Sequence, residues 1–249
     1  MAPTEPAPWW ARPTMLSLDG PAFVVLARAA VGRPVSSRFA DTLLACALVW
    51  AGYLLDRWLD ARYDGEVRTW RHGFAGRLGP VFMVIAVLVG LGAVLGGARV
   101  PSTWAEALGG SAPWLPLGLA AIFGGRWLRI GWTGRAWCVV WLLVALAGWG
   151  EAWSPTSQAA IALLAFANLL AIRRAEQPTE RGPRGWLAAT AVGATVVAWM
   201  APGALTIGAA AGVGVLMLLG GGGGRHAERR RAIVDAVTFL ALAAAASAV

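Results

Sequence analysis

Lysine is absent from the 249 residues, charged residues of every kind make up only 14%, and there are two cysteines and two histidines. So little charge excludes an ordinary soluble domain, in which about a quarter of residues are charged. Cys46 and Cys138 both lie inside apolar runs, with no histidines at metal-ligand spacing. They read as buried small hydrophobes and give no metal site or redox clue. All 21 basic residues are arginines, most of them clustered between apolar segments. The formal charge of +8 therefore reads as membrane topology rather than as a nucleic-acid surface. The proline-rich start has no charged region leading into an apolar run and a small-residue cleavage site, so residues 1–19 read as a retained tail.

What the chain has instead is apolar length: 58% of its residues are hydrophobic. Runs centred on 20–33, 38–55, 79–98, 111–124, 136–150, 157–173, 184–201, 203–220 and 232–249 are bounded by charges, glycine or proline. A crossing needs about 20 mostly apolar residues. The expectation is an all-α integral membrane protein, a bundle of about nine transmembrane helices forming one domain over residues 20–249. Sixteen of the 21 arginines follow the second, fourth, sixth and eighth runs. The bias of arginine toward the cytoplasm then places the tail in the cytoplasm and the C-terminus on the opposite side of the membrane.

Tryptophans at run ends, among them Trp127, Trp132, Trp137, Trp149, Trp153, Trp186 and Trp199, suit the membrane interface. Gly203, Gly208, Gly212 and Gly214 suit close helix packing in lipid. Arg28, Asn168 and Asp235 are polar residues at membrane depth and are expected to face the bundle interior.

The second run continues as LLDRWLDARYDGEVRTWRHGF, placing Asp56, Asp60 and Asp64 four residues apart. On a helix these carboxylates share one face and repel one another. Mg²⁺ prefers such oxygens, which makes the trio a candidate metal site. The competing reading is a solvated helix end on which Arg57, Arg62 and Arg68 neutralise the acids. Arg68, Arg71 and His72 follow and are donors suited to diphosphate oxygens. A second polar stretch after the sixth run carries Arg173, Arg174, Glu176, Glu180, Arg181 and Arg184, with Pro178 between the two glutamates.

An aspartate-rich motif ending helix two, a polar motif ending helix six and nine crossings resemble the UbiA superfamily of intramembrane prenyltransferases. The stretches LDGPAFVVLARAA, YLLDRWLDAR, RHGF and DAVTFLAL resemble a divergent bacterial branch of that superfamily. Together with the arginine bias, that branch implies a bacterial inner membrane with the C-terminus periplasmic. The resemblance implies Mg²⁺ held by Asp56, Asp60 and Asp64, with Glu176 and Glu180 standing where a second aspartate motif belongs. It implies that Arg68, Arg71, His72 and Arg181 contact the diphosphate of a polyprenyl donor. The implied reaction transfers the prenyl group to a hydrophobic acceptor such as a quinone or pigment precursor. Leu55 stands where the family has asparagine, and the second motif has glutamates but no aspartate. The alternative is accordingly a noncatalytic accessory subunit of a respiratory or photosynthetic membrane complex that binds lipid or quinone. A CDP-alcohol phosphotransferase would need Ala-Arg two residues after Asp64-Gly65, where Glu66, Val67 and Arg68 stand. A transporter built on the intramembrane polar residues is a further candidate.

Overall fold

The computed structural model describes residues 16–32, 39–63, 70–98, 132–148, 153–176, 182–219 and 227–248. Among these residues every element is helical, in chain order α1 (Asp19–Ala30), α2 (Phe39–Tyr63), α3 (Trp70–Leu95), α4 (Trp132–Ala147), α5 (Pro155–Glu176), α6 (Gly182–Met200), α7 (Ala204–Leu219) and α8 (Ala227–Ser247).

Local chemistry sets several boundaries. Ser154 caps α5, its Oγ accepting from the Ser157 amide at 3.1 Å. Pro155 takes the first helical position, where the missing N–H costs nothing. The α3 helix runs through Pro80, which has no N–H to give the Gly76 carbonyl.

Three helices are long and apolar enough to cross a membrane, at Phe39–Leu59, Gly76–Leu95 and Pro155–Arg174. The expectation of nine crossings is not supported at that length. Segments Gly185–Met200 and Ala204–Leu218 are apolar but shorter, and α1 and α4 have 12 and 16 residues. The 21 residues of α8 include Glu228, Arg229, Arg230, Arg231 and Asp235. The run at 111–124 lies outside the described residues.

The helices form two compact units. In the first, α1 as far as Val25 joins α2 and α3, and α2 packs lengthwise on α3. Only 17% of the α3 span is buried, and Val81, Val84, Val87, Leu88 and Leu91 are more than half exposed. A helix this apolar with so little protein over it presents its surface to lipid or to another chain.

In the second unit, α5 is central. It packs against α4, α6, α7 and α8, and Ile161, Leu164, Phe166 and Leu170 are fully buried. Phe166 stacks on Trp137 of α4 with ring centroids 4.0 Å apart. Trp137 and the buried Trp153 therefore serve internal packing, whereas Trp199 is 83% exposed, as an interfacial anchor would be. On α7, a Cβ at Gly212 would lie 2.9 Å from both Ala241 Cβ and Leu164 Cδ1, and one at Gly208 would lie 3.2 Å from the Ala241 carbonyl oxygen. Small residues thus bring α7 and α8 together where apolar side chains gain nothing by leaving lipid.

Because Ala241 Cβ is fixed to the α8 backbone and stands 2.9 Å from the position of a Gly212 Cβ, Gly212→Val is expected to destabilise the protein by about 1–3 kcal/mol. The open Gly214 should tolerate alanine. Thermal unfolding of both variants in detergent checks this.

Candidate functional site

The acidic end of α2 belongs to the first unit. Asp56 is exposed, whereas the next residue, Arg57, is only 6% exposed. Consecutive helix positions lie 100° apart, so the two side chains leave α2 in different directions. Arg57 turns toward the start of α1: Nη1 donates to Ser17 Oγ at 2.7 Å and Nη2 to Asp19 Oδ2 at 3.1 Å. The guanidinium also lies 5.5 Å from the Tyr53 ring centroid, and that of Arg62 lies 5.6 Å from the Trp58 ring. Arg57 and Arg62, which the solvated-end reading assigns to the neighbouring carboxylates, thus have identified partners in Asp19 and in tryptophan.

Residues 16–21 are fastened along α2 by further contacts. Trp50 Nε1 donates to the Leu16 carbonyl at 2.7 Å, and the half-buried Cys46 thiol reaches the Pro21 carbonyl at 3.6 Å. A Cβ at Gly20 would stand 2.9 Å from Val49 Cγ1, so the chain passes α2 where only glycine fits. Ser17 is fully buried with φ +58°. This left-handed conformation is uncommon outside glycine and persists when the surroundings fix it. The Arg57 hydrogen bond and the fastened neighbours are such surroundings. Nothing in the sequence pattern marks Ser17 or Asp19 as partners of a residue about 40 positions away. The one available signal was an aspartate in the first turn of an apolar helix.

Of the other expected ligands, Asp60 lies on α2, Arg71 and His72 on the first turn of α3, and Glu176 at the end of α5. Their side chains fall outside the described residues, as do Asp64, Arg68, Glu180 and Arg181 altogether. The Cys138 side chain is likewise outside them. Among the described residues no three His, Cys, Asp or Glu side chains come together to hold a metal ion.

The second unit holds the other polar residues expected at depth. Arg28, 2% exposed, donates through Nη1 to the Ala147 carbonyl at 3.0 Å, at the last residue of α4. A cation there answers both an orphaned carbonyl and the negative helix end. Asn168 and Asp235 meet: Asn168 Nδ2 donates to Asp235 Oδ1 at 3.1 Å. Arg231, one turn before Asp235, faces its other oxygen at 3.7 Å, with side chains 4% and 6% exposed. Arg231 was assigned to a loop on sequence grounds and is in fact inside the helix and the packing. Its i, i+4 spacing to Asp235 was the signal available. Thr238 on the same face satisfies itself at the Val234 carbonyl at 3.2 Å.

Comparison with known proteins adds no relative: no protein-family model, no curated protein and no solved structure matches the chain.

Removing one member of a buried ion pair leaves the other charge uncompensated, at a cost of about 3–5 kcal/mol. Asp19→Ala is therefore expected to lower stability by about that amount. Adding Arg57→Met should recover much of the loss, because the stranded cation is gone. Unfolding of the single and double variants, set out as a double-mutant cycle, measures the coupling.

Proposed function

We propose that the protein is a UbiA-like protein of the bacterial inner membrane that holds a polyprenyl diphosphate through Mg²⁺ at the acidic end of α2. It transfers the prenyl group to a hydrophobic acceptor of the quinone or pigment-precursor class. The observation that carries this reading is the exposed Asp56 at the end of the apolar span Phe39–Leu59, one helical turn before Asp60 on the same helix. An apolar helix ending in carboxylates pairs a lipid-soluble chain with a charged head, as a polyprenyl diphosphate does. In this reading the N-terminus is cytoplasmic and the C-terminus periplasmic, and the arginine-rich loops share the cytoplasmic side.

The donor set fits the metal, since Mg²⁺ takes one or two carboxylates together with phosphate oxygens. When bound, Mg²⁺ would neutralise the charge that builds on the departing diphosphate. Asp56, Asp60 and Asp64 would hold it, with Glu176 and Glu180 as a second pair. Arg68, Arg71, His72 and Arg181 would donate to the nonbridging oxygens. The allylic C–O bond breaks with its electron pair going to the diphosphate, and the acceptor carbon attacks the allylic cation and then loses its proton. Apolar helices keep water from intercepting the cation.

A second reading, the noncatalytic accessory subunit, is favoured by one observation, the apolar face of α3. In that case a protein subunit covers Val84, Leu88 and Leu91 and co-purifies in mild detergent.

Mg²⁺-dependent binding of a polyprenyl diphosphate to the purified protein at fixed ionic strength tests the first reading. Wild type should bind, and Asp56→Ala, Asp60→Ala should weaken binding at least about tenfold while remaining folded, a loss of about 1.4 kcal/mol or more. Metal-independent binding, or equal binding by the variant, sinks the metal assignment.

A further inference from the structure

Arg57 stands between Asp56 and Asp60 in the sequence, and its hydrogen bonds to Ser17 and Asp19 fasten the turn of α2 on which both acids lie. Around the helix axis the Asp56 position is about 100° and the Asp60 position about 60° from Arg57, both on the same side of it. The direction in which Arg57 leaves α2 therefore decides where those two positions face.

That direction is closely set. Cys46, Val49, Trp50, Tyr53 and Arg57 follow one another at steps of three and four residues, which makes one stripe along α2. Each of them meets the segment 16–21: Cys46 at the Pro21 carbonyl, Trp50 at the Leu16 carbonyl, Val49 and Tyr53 against Gly20, and Arg57 at Ser17 and Asp19. An apolar contact gives way to a small rotation, whereas a planar guanidinium holding two acceptors with two nitrogens does not. Ser17, which supplies one of those acceptors, is fully buried at φ +58°. A strained residue of this kind is costly to keep, and such strain gathers at functional sites.

The size of the effect matters to a metal ion. A carboxylate about 6 Å from the helix axis moves about 1 Å for a rotation of about 10°. Mg²⁺ demands oxygens at about 2.0–2.1 Å in a near-octahedral array, so a displacement of that size takes a ligand out of reach. We infer that Arg57 is a positioning residue for the ion proposed at this helix end. Held by Ser17 and Asp19, it locks the rotation of α2 so that Asp56 and Asp60 face one ion together. The inference rests on the transfer reading for the ion and the diphosphate, and adds the residues that set the geometry of the site.

The test titrates Mg²⁺ against full-length protein in detergent at fixed ionic strength, with radiolabelled farnesyl diphosphate as the probe. Arg57→Lys keeps the charge but replaces the fork with a single ammonium. Ser17→Ala keeps every charge and removes one acceptor. In both variants the half-saturating Mg²⁺ concentration is expected to rise at least about tenfold, as it does when other residues that orient metal ligands are changed. Probe binding should return to the wild-type level at high Mg²⁺, because the ligands are present and only misaligned. Gly212→Ala controls for stability alone: its Cβ would stand 2.9 Å from Ala241 and Leu164 in the second unit, so thermal stability should fall while the Mg²⁺ midpoint stays as in wild type. An unchanged midpoint in both Arg57→Lys and Ser17→Ala, or less bound probe at an unchanged midpoint, overturns the inference and leaves Arg57 as a structural tie. Wild-type protein that shows no Mg²⁺-dependent binding overturns the transfer reading as well, which tells the two failures apart.

Discussion

A charge inside an apolar bundle cannot fall back on water, and each of the three guanidiniums buried among the described residues meets this constraint in a different way. Arg28 meets a helix-end carbonyl, Arg57 a carboxylate with a hydroxyl, and Arg231 a carboxylate shared with an amide. These answers settle which elements must lie together. Arg28 ties the second half of α1 to the end of α4, Arg57 ties the start of α1 to the end of α2, and Asp235 ties α8 to α5. Large apolar side chains fill in around them and choose partners only weakly, because a leucine in lipid has little to gain from another leucine. Small residues, by contrast, let α7 and α8 approach.

This division explains what was legible in the sequence. Helical content and the apolar segments follow from hydropathy, and the helices agree; within the packing Arg28 and Asp235 are buried and Asn168 partly so. The number of crossings did not follow. Hydropathy counts apolar residues, whereas a span also needs unbroken helix, and Ala204–Leu218 stops short of the required length. Trp137 shows a similar limit: a tryptophan near a run end can anchor at an interface or stack on Phe166, and the two roles share one sequence signature.

At the candidate site, the spacing of Asp56 and Asp60 placed both on one helix, which α2 provides. The spacing did not reveal that Arg57, between them in sequence, leaves in another direction to meet Asp19. Local spacing describes neighbours on one helix, and this partner comes from a segment about 40 residues away that also contains a left-handed serine. Asn168 and Asp235 were each legible as interior residues, but their pairing was not, because it depends on the level at which α5 and α8 pass.

The bareness of α3 bears on how high Asp56 rides in the membrane. A 20-residue apolar span is about 30 Å long, close to the hydrocarbon thickness of an ordinary bilayer. Where lipid covers that face, a thinner membrane makes the span lean. Packed lengthwise on α3, α2 leans with it. The carboxylate at the far end of α2 then moves relative to the headgroups, so bilayer thickness sets how deep this helix end lies.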